Sequence, residues 1–165
     1  MLNFARDGCC FTLRAAAVIV RERQVLLHRM VDDNFWSLPG GRCEMLETSA
    51  RCAEREVQEE LGVPASTQRP LWIAETFFAH AGETHHQLAL YHLVELPSDC
   101  LVMSGQGPFS GSEGHLKLEF HWFDLCEVPE LELYPRFLRS DLLKLPPTPE
   151  HRVEWDLPHQ ERPTS

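Results

Sequence analysis

Between Gly41 and Val63 the chain sets three glutamates, Glu56, Glu59 and Glu60, within five residues of a segment that reads as helix from 47 to 61. Thr48 or Ser49 can cap its start, and Gly62 is placed to end it with a left-handed residue. Ala50, Ala53, Val57 and Leu61 recur at spacings of three and four and predict one buried stripe, with the glutamates off it. At about 100° per residue, the three carboxylates crowd an arc of about 100°. Like charges at i and i+4 cost a helix roughly 0.2–0.5 kcal/mol per pair. A hard divalent cation reverses that sign, because Mg²⁺ and Mn²⁺ prefer oxygen ligands. The bland alternative is a solvated acidic face balanced by Arg51 and Arg55.

Composition narrows the setting of that helix. A chain of 165 residues suggests one domain of ordinary size, and an apolar fraction of 43% is enough for a core. The net charge of -10 argues against general nucleic-acid binding, which needs a basic surface. It leaves room for an anionic small molecule, since carboxylates that hold divalent cations can form a phosphate site. The six cysteines make no CxxC pair, and adjacent Cys9 and Cys10 are poorly placed to bridge each other. Free thiols in a reducing cytoplasm are expected. The apolar run from Ala15 to Val20 is far short of a membrane span, and the first residues do not resemble a signal peptide.

Along the chain, residues 11–20 read as a buried strand and Val25 to Arg29 as its hairpin partner across a polar turn. Leu71 to Ala79 and Gln87 to Leu96 read as further strands, Pro97 to Gly114 as a long loop, and Leu116 to Trp122 as an alternating strand. Pro135 to Leu145 predicts a short helix. The proline-rich residues 146–165 read as a tail, extended or partly disordered, beyond a domain of residues 1–145. The pattern is a mixed α/β domain.

The stretch around the acidic helix resembles the Nudix box. That motif reads Gly, five residues, Glu, seven residues, Arg-Glu, an aliphatic, any residue, Glu-Glu, any residue, Gly, an aliphatic. This chain has Gly41, Glu47, Arg55-Glu56-Val57, Glu59-Glu60 and Gly62-Val63, preceded by Leu38-Pro39-Gly40. Every specified position matches; Leu46 stands where many members have glycine, at a position the motif leaves open. The resemblance covers at least residues 11–145. It implies an α/β/α sandwich with a mixed sheet and a catalytic helix. It implies a Nudix hydrolase that uses Mg²⁺ or Mn²⁺ to cleave a phosphoanhydride bond in a nucleoside diphosphate linked to another moiety. By the same resemblance, Glu56 and Glu60 are the principal metal ligands and Glu59 a further one, direct or through water. Glu47 pairs with Arg55, the carbonyl of Gly40 is an additional metal contact, and Gly41 lets the backbone turn toward a nucleotide-like substrate. A homodimer is common among relatives. The alternative is a nucleotide-sensing module with little or no hydrolysis.

Outside the box, Glu113 is the first candidate for an accessory acid, Glu119 the second, and Glu75 a third. His85 and His86, at a predicted turn, can touch a phosphate or a base. Trp36, Trp72, Phe77 and Phe78 can stack on a base, although aromatic residues in strands are usually core, as expected for Trp122. The proline typical of ADP-ribose-cleaving members is absent around Thr76-Phe77-Phe78, and Tyr91 is too distant to match the tyrosine of the diadenosine polyphosphate type. These absences leave a MutT-like member without an assigned subgroup.

Overall fold

The computed structural model describes residues 1–157. The early apolar run lies in β2 (Cys9–Val18), which follows β1 (Asn3–Arg6). Ala15 and Ala17 face one core, while Ala16 and Val18 face another. A strand buried on both sides needs no alternation, which explains its uniformly apolar reading. Beyond Val18 the chain leaves that sheet, and only β3 (Val20–Arg21) pairs with β4 (Gln24–Met30). The expected hairpin between residues 11–20 and 25–29 shrinks to this short piece, because β2 and β4 lie in separate sheets.

The first sheet runs β1, β2, β7 (Glu83–Glu95), β6 (Ser66–His80) and β10 (Glu150–Asp156), with β5 (Gly40–Arg42) paired to β2. It is mixed: β2 is parallel to β7 and β10 to β6, while β6 and β7 are antiparallel. Ala81 and Gly82, at φ 51° and 81°, turn β6 into β7 as a two-residue hairpin loop does. His85 and His86 therefore stand in β7 and not in a turn. The second sheet runs β3, β4, β9 (Leu116–Asp124) and β8 (Phe109–Glu113).

Helix α1 (Ser49–Leu61) puts Cys52, Ala53 and Val57 on one core. Val128, Leu138 and Leu142, from a 3₁₀ turn and α3 (Leu138–Asp141), cover the other. The layers are those of an α/β/α sandwich. Two expectations need correction. The 97–114 loop contains α2 (Leu101–Ser104) and β8. The helix expected over 135–145 keeps a single turn, α3. The proline-rich tail supplies β10, held to β6 from Glu150 to Asp156 and by Trp155 stacked on Phe77 at 3.8 Å. Residues 158–165 of that tail lie outside the described residues. All six cysteines are free thiols, with Cys43 and Cys52 buried. Among the described residues no helix is long and apolar enough to cross a membrane.

Candidate active site

Strand β5 places Gly40 and Gly41 opposite Ala16 and Ala15 of β2. Gly40 takes φ 144°, and a Cβ there would overlap the Ala15 carbonyl and Ala16 Cα. A Cβ on Gly41 would overlap the carboxyl group of Glu56. Two side-chain-free residues thus let the acidic helix come against the backbone of β5. The helix itself begins at Thr48, whose hydroxyl accepts from the Arg51 N–H at 3.3 Å, and ends at Gly62 with φ 71°.

The buried residues of α1 are Cys52, Ala53, Glu56, Val57 and Glu60. Glu56 and Glu60 thus belong to the buried face, contrary to the expectation that they stand off it. The reason is glycine on two flanks: Gly41 beside Glu56, and Gly111 of β8, whose added Cβ would overlap the Glu60 carbonyl and the Phe120 ring. Burial raises the pKa of Glu56 and raises that of Glu60 well above the usual carboxylate range. Glu59 stays largely exposed.

Arg55 organises the carboxylates. Its guanidinium forks onto Glu47 at 2.8 and 3.0 Å. The same group donates to Glu56 Oε1 at 2.8 Å, to Glu59 Oε2 at 2.9 Å and to the Arg42 carbonyl at 3.2 Å. The bond to Arg55 holds Glu47 down at about 2, with the Glu44 N–H also donating to it.

Two residues passed over in the sequence complete the centre. His28 of β4 is buried, with Nδ1 3.5 Å from Glu60 Oε2. Burial lowers its pKa to about 3, so the ring is neutral and supplies no counter-charge. Neither Glu60 carboxylate oxygen has a hydrogen bond of ordinary geometry among the described residues, and the Gly40 backbone approaches it only loosely. Arg14 of β2 donates to the Leu38 carbonyl at 3.4 Å, and its charge lowers the pKa of both Glu56 and Glu60. A polar residue inside a buried strand was the available signal for each.

Arg14 also lines a cavity of about 390 Å³, within the range of small-molecule sites. Its other walls come from β6, β7, β10 and the segments around Phe35 and Tyr134. Among the described residues no group of three or more His, Cys, Asp or Glu is drawn together as a metal cage, and Arg55 engages Glu56 and Glu59. The donor set nevertheless suits a hard divalent cation. Two buried carboxylates lie one helical turn apart, and neither oxygen of one has a hydrogen bond of ordinary geometry among the described residues.

The family model for the NUDIX domain matches residues 11–140. This chain belongs to the Nudix family. A Bacillus subtilis (strain 168) protein named "Putative ADP-ribose pyrophosphatase YjhB" is 33% identical over 89 residues, which is 54% of this chain and 40% of that protein. The match thus spans about two-fifths of that relative's length. Among solved structures, a MutT protein from Bacillus halodurans has a TM-score of 0.59 at 19% identity, covering 88% of this chain and 90% of its own. A Nudix hydrolase from Nitrosomonas europaea has a TM-score of 0.56 at 18% identity, covering 88% and 79%. These structures establish the fold.

On the Nudix fold the box residues Gly41, Glu47, Arg55, Glu56, Glu59 and Glu60 come together with Gly40, which precedes the box. Glu113 ends β8, where its charge raises the pKa of Glu60. Glu119 is tied to Arg29 at 2.5 Å, and Glu75 to His151 at 2.8 Å. Trp36, Trp72 and Trp122 are core residues. Phe77 stacks on Trp155 and His86, and Phe78 on His85.

Proposed function

We infer that this Nudix protein hydrolyses a phosphoanhydride bond in a nucleotide-like diphosphate, with Mg²⁺ or Mn²⁺ held by Glu56, Glu59, Glu60 and the backbone carbonyl of Gly40. The observation that carries this reading is the Glu60 carboxylate, buried beside a neutral His28 with neither oxygen in a hydrogen bond of ordinary geometry among the described residues. A buried carboxylate in that state is costly unless a cation joins it.

When bound, a divalent cation neutralises phosphate charge and makes a water easier to deprotonate. The chain's own residues do the rest. Arg55 takes one oxygen of Glu56 and one of Glu59 and fixes their orientation. Glu47 in turn locks Arg55 through its two-bonded fork. Arg14, between the carboxylates and the cavity, donates to a phosphate oxygen of the substrate. Glu113, the last residue of β8, whose charge reaches Glu60, accepts the proton of the attacking water.

The name of the Bacillus subtilis relative makes ADP-ribose the first compound to try. A panel of ADP-ribose, sugar nucleotides and nucleoside triphosphates tests the reading, each with Mg²⁺, Mn²⁺ or chelator. Nucleoside monophosphate released with metal and not with chelator supports it. Metal-dependent binding of one compound without turnover of any would favour a nucleotide sensor instead. The free thiols suit a reducing cytoplasm as the working compartment.

A further inference from the structure

The registers of the first sheet put Thr12, Gln87, Thr76 and Glu154 at one level across β2, β7, β6 and β10. Gln87, Thr76 and Glu154 of this rung line the cavity with Arg14, whose charge also acts on Glu56 and Glu60 of the acidic helix. The next level carries Arg14, Ala89, Ala74 and Arg152, and the two alanines between the arginines leave space above the sheet. Thr76 is 3% exposed, and its hydroxyl has no hydrogen-bond partner among the described residues. An orphaned hydroxyl at the floor of a cavity marks a place where a ligand can supply the missing bond.

The neighbours of that hydroxyl decide what the ligand offers. Glu154 is directly opposite Thr76 in register, and Asp156, one of its oxygens paired with Arg136 at 3.2 Å, lines the same end of the cavity. Glu154 is fixed there because its two oxygens accept from the N–H groups of Arg136 and Phe137, at 2.9 and 2.8 Å. Carboxylates accept hydrogen bonds and repel carbonyl or phosphate oxygens. Phe35, Phe78 and Tyr134 add flat apolar walls. The positive Arg14 end therefore suits the diphosphate, and the far end suits an aromatic ring bearing N–H donors.

We propose that the Gln87–Thr76–Glu154 rung reads the nucleobase and selects one with an exocyclic amine, as in adenine, guanine or cytosine, over uracil. The inference rests on the hydrolase reading for the placement of the phosphates, and it deepens that reading by naming the substrate class. It also gives β10, which lies beyond the matched family span of 11–140, a part in recognition.

The test is calorimetric binding of AMP, GMP, CMP and UMP with Mg²⁺, compounds with no phosphoanhydride bond to cut. It is run on the wild type, Thr76→Val and Thr76→Ser. The wild type binds the amine-bearing monophosphates about tenfold tighter than UMP, the worth of one hydrogen bond left unmade in a buried site. Thr76→Val loses most of that margin, because beside the Glu154 carboxylate the hydroxyl serves as acceptor to an amine, and Thr76→Ser keeps it. Thr76→Val should melt at or above the wild-type temperature, because it removes a polar group that has no partner, so misfolding is read separately. UMP binding as tight as the rest, no binding by any of the four at millimolar concentration, or an equal loss for all four in Thr76→Val would overturn the proposal. An amine preference in a protein that turns over no diphosphate compound would uphold it and count against the hydrolase reading alone.

Discussion

Glu60 and His28 meet at 3.5 Å inside the protein, and the contact joins a carboxylate to a ring that carries no charge. An ion pair would satisfy both groups; this contact satisfies neither, and the backbone groups of Gly40 and Leu38 approach Glu60 and His28 only loosely. The pair costs local stability, and the consequences can be measured.

The first concerns stability in chelator. The folded pKa of Glu60 lies above the unfolded value, so above pH 4.5 the folded chain binds more protons than the unfolded one. Metal-free stability must then fall as pH rises through that range. Glu60→Gln removes this slope, so at pH 8 in chelator it should melt higher than the wild type, each 1 kcal/mol being worth roughly 2–4 °C in a domain of this size. Thermal melts from pH 5 to 8 decide it. A mutant that melts lower at pH 8 would mean the carboxylate is already satisfied.

Arg55 yields the second. Lysine keeps the charge but cannot fork, so Arg55→Lys leaves Glu47 and Glu56 loosely held. Turnover should drop roughly 10–100-fold, as for the loss of a group that orients metal ligands. Glu47 is held at about 2 in the fold against 4.5 in its absence. Its stabilisation is therefore complete above pH 4.5 and lost as pH falls from 4.5 toward 2. Acid titrations of Arg55→Lys should show less of that loss. Wild-type kinetics together with wild-type acid unfolding would remove Arg55 from the account.

Arg14 is expected to act on substrate binding. Arg14→Gln should raise KM about 10–100-fold, the worth of a charge-assisted hydrogen bond, with a smaller change in kcat. Steady-state kinetics on the best substrate separates the two. A fall in kcat at unchanged KM would place Arg14 with the reacting water and not with the diphosphate.

For the accessory acid, Glu113→Gln should lower turnover more than Glu119→Gln. Glu119 is committed to Arg29 at 2.5 Å, whereas Glu113 lies where its charge reaches Glu60. Turnover measured across pH for both variants ranks them. The reverse order would move the role to β9.

Much of this centre was legible in the chain itself. Thr48, Gly62 and the box spacing fix the helix ends and the order of the glutamates, because caps and periodicity are local physics. The depth of Glu56 and Glu60 was not legible. It depends on Gly41 and Gly111, which reach the helix from distant strands. Arg14 and His28 were hidden for the same reason: a lone polar residue in an apolar strand says nothing of what it faces until the sheets are packed. The tail reads as extended from its prolines and is extended where described, but its pairing with β6 was not legible: the prolines at 146, 147 and 149 fall just before β10 and do not prevent it.

The most direct test is the initial rate of monophosphate release from the best substrate, at saturating Mg²⁺, by the wild type and by folded Glu60→Gln. The account predicts a loss of at least roughly 10–100-fold, the cost of disturbing a metal site's support, while the mutant stays folded. A folded Glu60→Gln that turns over at the wild-type rate would contradict the placement of the metal, and with it the reading of this helix.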